Sequence, residues 1–465
     1  MNEANVLQPF NHIHLLGIGG VGVSALVPEL LRRGHKITGS DPASNELTAR
    51  LEALGAVIRH RHQAKNVEGA SLLVVSSAVK ESNPEIAAAR ERGIPIWPRA
   101  KMLGVLLERW RSIVVTGAHG KTTTTSMFVH ALTELGLDPT AFIGGSVPAF
   151  GGNVRLGNGE WAAAEGDESD GSFTHLHPDI AIVNNIDADH LDFYKNMEEI
   201  VEGFHLFLNG VKPDGWILRS ADCPYSRALR AGKYKTATYG FAEDADVRGV
   251  DYVAGREGLQ CGAIVKGRRA AELKLRLNGR SAAHNALAVI AAGEALGIPY
   301  GDLARSLETF EGVQRRLERK GEAKGIAVLD DYAHHPNEIR AAIEALRERY
   351  KGRLIGVFQP HLYSRTLSLL EEFGRAFAGL DLLVLTDIYP AREEPRPGVS
   401  GELLLAPVRR SGVQAVYIPR LEEIPAFLED SCGAGDAVTT MGAGDVWKAG
   451  EHFLKILKAK EAAQP

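Results

Sequence analysis

The chain has 465 residues, room for about three domains, and its 45% hydrophobic and 24% charged composition excludes disorder. With 53 basic against 58 acidic residues the net charge is −5, which argues against nucleic acid as an obligate partner. Cys223, Cys261 and Cys432 are far apart, no N-terminal signal pattern is present, and no apolar run reaches the ~18 residues of a membrane span; a protein of a reducing cytoplasm is expected.

Short apolar runs alternate with helix-period segments from the start. Strands are predicted at 13–16, 36–39, 71–77 and 94–97, with a helical segment carrying Ala25, Leu26, Leu30 and Leu31 after the first. Such alternation implies a parallel sheet covered on both faces. A second unit opens with the strand 112–116 and continues through 141–143, 180–183 and 215–218. From about 245 to 279 the pattern alternates polar and apolar, as in Glu272 to Leu277, and predicts antiparallel strands with one wet face. A helix follows over 282–296, with Gly297 as its C-terminal stop. A third unit carries strands at 327–329, 354–358, 382–385, 415–418 and 437–440, and the polar tail from Lys458 is expected to fray.

Two glycine-rich turns stand between a strand and a helix. Gly17-Ile18-Gly19-Gly20-Val21-Gly22 fits G-x-G-x-x-G, which lets backbone amides reach a diphosphate at a helix N-terminus. Asp41 ends the next strand, where an acid holds a ribose hydroxyl; a nicotinamide cofactor and a UDP-sugar both satisfy this pattern. Thr116-Gly117-Ala118-His119-Gly120-Lys121-Thr122-Thr123-Thr124 is a shortened phosphate loop. Its amides would cradle a triphosphate, with Lys121 on the β- and γ-phosphates and Thr122 on Mg²⁺. A dehydrogenase needs only the first turn and a simple ATPase only the second; activating a nucleotide-linked substrate with ATP needs both.

Further polar clusters follow predicted strands. Among Glu165, Asp167, Glu168 and Asp170, Glu165 lies nearest its strand and is the favoured metal ligand. His190, in Asn184-Asn185-Ile186-Asp187-Ala188-Asp189-His190-Leu191-Asp192, can ligate a metal or orient phosphate. The run Asp330-Asp331-Tyr332-Ala333-His334-His335-Pro336-Asn337-Glu338 has zinc-like composition but not the spacing of a closed zinc site, so substrate or nucleotide contact is favoured. His361 and Arg365 follow the next strand, and Arg365 can grip a carboxylate in bidentate fashion. The pair Arg315-Arg316 offers a cation to a transferring phosphate.

These motifs, in this order, together with Ser76-Ser77 to Glu85, His284 to Ala288 and Gly312 to Arg316, resemble the Mur ligase family of peptidoglycan synthesis over essentially the whole chain. The shortened phosphate loop is that family's own form. The resemblance implies an α/β protein of three domains: an N-terminal Rossmann-like domain (1–111), a central P-loop ATP-binding domain (112–319) and a C-terminal Rossmann-like domain (320–465). It implies ATP and Mg²⁺ as cofactors, UDP-N-acetylmuramate and L-alanine as substrates, an acyl-phosphate intermediate, and a monomer or weak homodimer. A relative that adds a recycled peptide is the alternative within the family.

Carried over by position, Gly17, Gly19, Gly20, Val21, Gly22, Asp41, Ser76 and Ser77 would hold the UDP-sugar. Gly117 to Thr123 and Asn285 would hold ATP, with Asn285 on the adenine, Arg316 on the γ-phosphate and Asp331 on the nucleotide. Thr122, Glu165 and His190 would hold the metal. Tyr332, His334, His361 and Arg365 would surround the amino acid, with His334 a candidate base. Leu362 stands where relatives often carry a basic residue, which shifts carboxylate binding onto Arg365. The stretch 201–209 contains no lysine, so a carbamylated lysine is not expected.

Overall fold

The computed structural model describes residues 6–190, 193–391 and 393–463. Leu191 and Asp192, which close the His190 motif, and the last two residues of the tail lie outside them. Contacts divide the chain into two compact units. One reaches to Val250 and takes in Gly262–Leu273 and His284–Phe310; the other holds Asp251–Cys261, Lys274–Ala283 and the chain from Glu311.

The first unit contains a five-stranded parallel sheet in the order Val57–Arg59, Lys36–Ser40, His12–Leu16, Leu72–Val75, Ile96–Pro98. The chain reverses direction of build at His12–Leu16, and the glycine turn 17–22 leaves that strand at the switch point, where such sheets bind ligands. The helical segment after it is two helices, Val21–Ser24 and Val27–Arg32, rather than one. Pro28 explains the break, because its ring cannot pack against the carbonyl one turn earlier.

The second sheet of this unit places Arg111–Thr116 between Ile180–Val183 and Trp161–Gly166, all parallel, with Thr140–Val147 beyond the latter. Thr116 is level with Val183 on one side and Gly166 on the other. This register brings the phosphate loop, the acidic segment 165–170 and the segment 184–190 to one end of one sheet. Ile13, Leu26, Leu103, Trp110, Val114, Phe142 and Phe173 belong to one continuous buried core, which ties the first two sheets into a single unit. The strand Arg268–Leu275 buries Ala271, Leu273 and Leu275 and exposes Glu272 and Lys274, the wet face that its alternation predicts. The helix Arg280–Ala291 is followed by a short one, Gly293–Leu296, closed by Gly297 at φ +68°.

In the second unit, Ile326–Asp331, Ala437–Met441, Leu354–Phe358, Leu382–Leu385 and Gln414–Tyr417 form a parallel run, with Glu318–Ala323 antiparallel at its edge. Asp330 and Asp331 are buried residues of the first of these strands, not of the loop beyond it. The tail is helical from Trp447 to Ala462, because Phe453, Leu454 and Leu457 anchor it to the core and Glu461 accepts from Lys324 N. Among the described residues no helix is long and apolar enough to cross a membrane.

Candidate active site

The phosphate loop is built by two glycines in conformations that a side chain resists. Gly117 has φ +128° and Gly120 φ +82°, and Gly120 caps the helix Lys121–Glu134. A Cβ at Gly117 would sit 2.7 Å from Asn185 O, and one at Gly120 would sit 2.8 Å from Asn285 Oδ1 and 3.0 Å from Asn184 Nδ2. Asn285, a hundred and more positions downstream, is therefore packed on the loop. Asn185 Oδ1 accepts from His119 N at 2.8 Å, and Asn184 Nδ2 donates to Thr124 Oγ1 at 3.0 Å. Tyr239, fully buried, donates to Asn184 Oδ1 at 2.8 Å. The two asparagines fix the loop from the neighbouring strand's end, a role that the sequence does not single out.

Lys121 bends back over its own loop. Its Nζ donates to Gly117 O at 2.8 Å and to both Glu168 oxygens at 3.0 Å. Burial alone would depress this ammonium; Glu168, Asp167 and Glu165 overcome it and hold its pKa above the ordinary value. Glu168 Oε1 also lies 3.5 Å from His190 Nε2. Burial works against the charged imidazole of His190, yet Glu168 and Asp189 raise its pKa. His190 itself adopts φ +56°, with its N donating to Asp189 Oδ1 at 2.8 Å. Thr122 Oγ1 donates to Glu165 Oε2 at 3.1 Å, and Gly144 N donates to Glu165 Oε1 at 2.6 Å. A hydroxyl and a carboxylate at the mouth of a phosphate loop are the hard oxygen donors that Mg²⁺ prefers.

At the first sheet, Asp41 faces the glycine turn. Its carboxylate accepts from Gly19 N and from Ala43 N, both at 2.9 Å. Gly17 is at φ +80°, and a Cβ there would meet Ser76 Cβ at 3.0 Å; a Cβ on Gly22 would meet Arg99 at 2.9 Å. Gly20 N closes the turn on Gly17 O, while Val21 and Ser77 are exposed beside it. Behind the turn lies a buried polar network that spacing alone does not reveal. Glu85, fully buried, accepts from Ser40 Oγ at 2.7 Å, Asn66 Nδ2 at 2.7 Å and Gln63 N at 3.1 Å, and lies 3.0 Å from His14 Nε2. Burial opposes its charge, but these bonds bring its pKa down to about 2. The carbonyl of Ser40 in turn receives Gly17 N at 2.8 Å.

In the second unit the two arginines of the Arg315-Arg316 pair have different employment. Arg315 Nε donates to the buried Asp330 at 3.0 Å and its Nη2 donates to Gly442 O at 2.6 Å. Arg316 lies 3.9 Å from Glu338 and stacks its guanidinium over Tyr332 at 5.2 Å. Asp331 accepts from Leu317 N at 2.7 Å and Ala333 N at 2.6 Å; burial outweighs Arg316 and raises its pKa to about 6. Tyr332, His334, His361 and Tyr389 form a chain of ring contacts, with His334 and His361 edge to face at 5.7 Å. Arg365 Nη1 lies 3.3 Å from His361 Nδ1. Leu362 caps the helix Tyr363–Ser368 at φ +69°, a strained conformation for a branched side chain. His335, the other histidine of that motif, caps the helix Pro336–Arg349.

A glycine turn at the switch point of one parallel sheet and a lysine-bearing phosphate loop at the switch point of another define an α/β enzyme that handles two phosphorylated ligands. Comparison with known families makes this specific: the chain matches the Mur ligase family catalytic domain over residues 12–111, the Mur ligase middle domain over 115–293 and the Mur ligase glutamate ligase domain over 315–444. The chain belongs to the Mur ligase family. The UDP-N-acetylmuramate–L-alanine ligase of Desulfatibacillum aliphaticivorans is 43% identical over 95% of this chain and 98% of its own length. That of Geobacter sp. strain M21 is 45% identical over 96% and 98%. The crystal structure of UDP-N-acetylmuramate–alanine ligase from Thermotoga maritima matches with a TM-score of 0.83 at 30% identity, covering 97% of this chain and 99% of that one.

Proposed function

We propose that this enzyme uses ATP to join L-alanine to the lactyl carboxylate of UDP-N-acetylmuramate, in the cytoplasm, as a monomer or weak homodimer. The observation that carries the reading is the register that sets the Gly117–Thr123 loop, Glu165 and His190 at one end of one sheet, in a chain that aligns end to end with ligases of that name. Residues 1–111 would take the UDP-sugar through Gly17 to Gly22, Asp41, Ser76 and Ser77. Residues 112–319 would take ATP through the loop, Lys121 and Asn285. Residues 320–465, with Arg316 just before them, would supply Asp331 toward the nucleotide and Tyr332, His334, His361 and Arg365 toward the amino acid.

The carboxylate attacks the γ-phosphorus and ADP leaves, giving an acyl phosphate. Lys121 and Arg316 stabilise charge on the transferring group, which is mostly what phosphoryl transfer asks of a protein. Thr122, Glu165 and His190 would hold Mg²⁺, which when bound neutralises phosphate charge. The amine of alanine then attacks the acyl carbon, phosphate departs, and His334 would take the amine proton. Its Nδ1 is 3.0 Å from Tyr332 O and 3.3 Å from Glu338, which orients the ring.

The test is one assay with ATP, Mg²⁺ and UDP-N-acetylmuramate, comparing L-alanine, glycine, L-serine and a recycled tripeptide by ADP release and product mass. L-alanine should lead, with glycine and serine poorer by the ~1–3 kcal/mol that a methyl-sized difference commands. Preference for the tripeptide, or no ADP with any acceptor, contradicts the proposal.

A further inference from the structure

We propose that Glu168 is a positioning residue that acts through Lys121, holding its ammonium in register for the transferring phosphate and keeping the cradle from accepting phosphate that lacks its cation. The inference rests on the reading of Gly117–Thr123 as the nucleotide-phosphate loop. Glu165 occupies the place of the metal-ligating acid in that reading, and Glu168 is left without a part.

Its geometry gives it one. An ammonium has three donors. Lys121 gives one to Gly117 O at 2.8 Å and presents another to both oxygens of Glu168 at 3.0 Å. The remaining contact, to Ala118 O at 3.4 Å, is the long one and the one most easily yielded to a phosphate oxygen. Glu168 is only 3% exposed, and its backbone carbonyl accepts from Tyr194 Oη at 2.7 Å, so the carboxylate is delivered by a fixed backbone. Lys121 thus has two firm anchors and one free hand, and its Nζ cannot swing without breaking a buried charge-assisted pair. The same buried negative charge lies beside the space where phosphate must come, and repels any phosphate not accompanied by a compensating cation.

Both consequences are measurable on the full chain with ADP as the probe. Glu168→Gln keeps the shape and removes the charge. It should bind ADP without divalent metal about five-fold more tightly than the unaltered protein, as expected for relief of one partly screened like-charge contact. Its kcat should fall about ten-fold or more with no rise in KM for ATP, because a loosened Lys121 costs the transition state rather than ground-state binding. Glu168→Asp retains the charge and should restore weak metal-free ADP binding. Thermal unfolding of each variant establishes that the fold persists. Metal-free ADP affinity unchanged or weaker in Glu168→Gln, or a rise in KM with kcat unchanged, overturns the proposal. Lys121→Ala is the control on the underlying reading: if it binds ADP as the unaltered protein does, the loop assignment fails, independently of the Glu168 result.

Discussion

The Thr122 hydroxyl donates to Glu165 Oε2 across 3.1 Å, joining the first turn of the helix after the phosphate loop to the end of the adjacent strand. Two oxygen donors held this way are preset for a hard cation. Glu165→Gln and Thr122→Val should each raise the Mg²⁺ concentration for half-maximal activity about ten-fold or more, since each removes one of very few protein ligands. A magnesium titration of initial rate checks this; an unchanged midpoint in both variants would separate the pair from metal binding.

Adjacent arginines should fail in different ways. Arg315 pairs with Asp330, whose side chain is 1% exposed, and Arg315→Ala leaves that buried carboxylate without its ion-pair partner, held by the Thr440 hydroxyl at 2.6 Å, a loss of about 3–5 kcal/mol. Arg316→Ala removes a half-open cation and should leave the melting temperature nearly unchanged while lowering kcat about a hundred-fold or more. Thermal melts beside steady-state rates distinguish the two, and a reversed pattern would reverse the assignment.

Glu85 should make the first unit acid-sensitive. Its folded pKa, about 2, is below the unfolded value of 4.5, so the stability it contributes is present above about pH 4.5 and lost as pH falls toward 2. Glu85→Gln should flatten that part of the stability profile and cost about 3 kcal/mol at neutral pH. Denaturant melts from pH 3 upward are the measurement; a profile matching that of the unaltered protein would count against the network.

Asp331 has the opposite sign. Its folded pKa of about 6 is above the unfolded 3.8, so its stabilising contribution is complete below about pH 4 and disappears as pH rises through 6. In Asp331→Asn the fall in stability between pH 4 and 6 should shrink by up to about 3 kcal/mol. Equilibrium unfolding at pH 4, 5, 6 and 7 reads it directly. An identical slope in the variant would mean that the carboxylate is already ionised at pH 4.

The glycine turns were legible in the sequence because backbone demands are written locally: a strand, glycines where φ is positive, then a helix. The acidic cluster was not, because four acids within six positions do not disclose which one meets Lys121. Register sets Val115 beside Glu165, but the acid that meets Lys121 is Glu168, in the loop beyond the strand Trp161–Gly166, and its place is visible only in three dimensions. Asp330 and Asp331 looked like loop residues because charge normally ends a buried strand. Here Arg315 and the amide of Leu317, from the segment before the edge strand, and the amide of Ala333, two residues on, satisfy them, and the strand runs on. Asn285 has no signal of its own in the helix Arg280–Ala291; the family resemblance pointed to it, and its packing on Gly120 is visible only in three dimensions.

In the proposed reaction the lactyl carboxylate is activated by phosphoryl transfer before alanine attacks. One carboxylate oxygen must then leave with the phosphate. The direct measurement is turnover of UDP-N-acetylmuramate carrying ¹⁸O in that carboxylate, with mass analysis of the inorganic phosphate. One ¹⁸O per phosphate released is the predicted result; unlabelled phosphate formed alongside the amide product would contradict it.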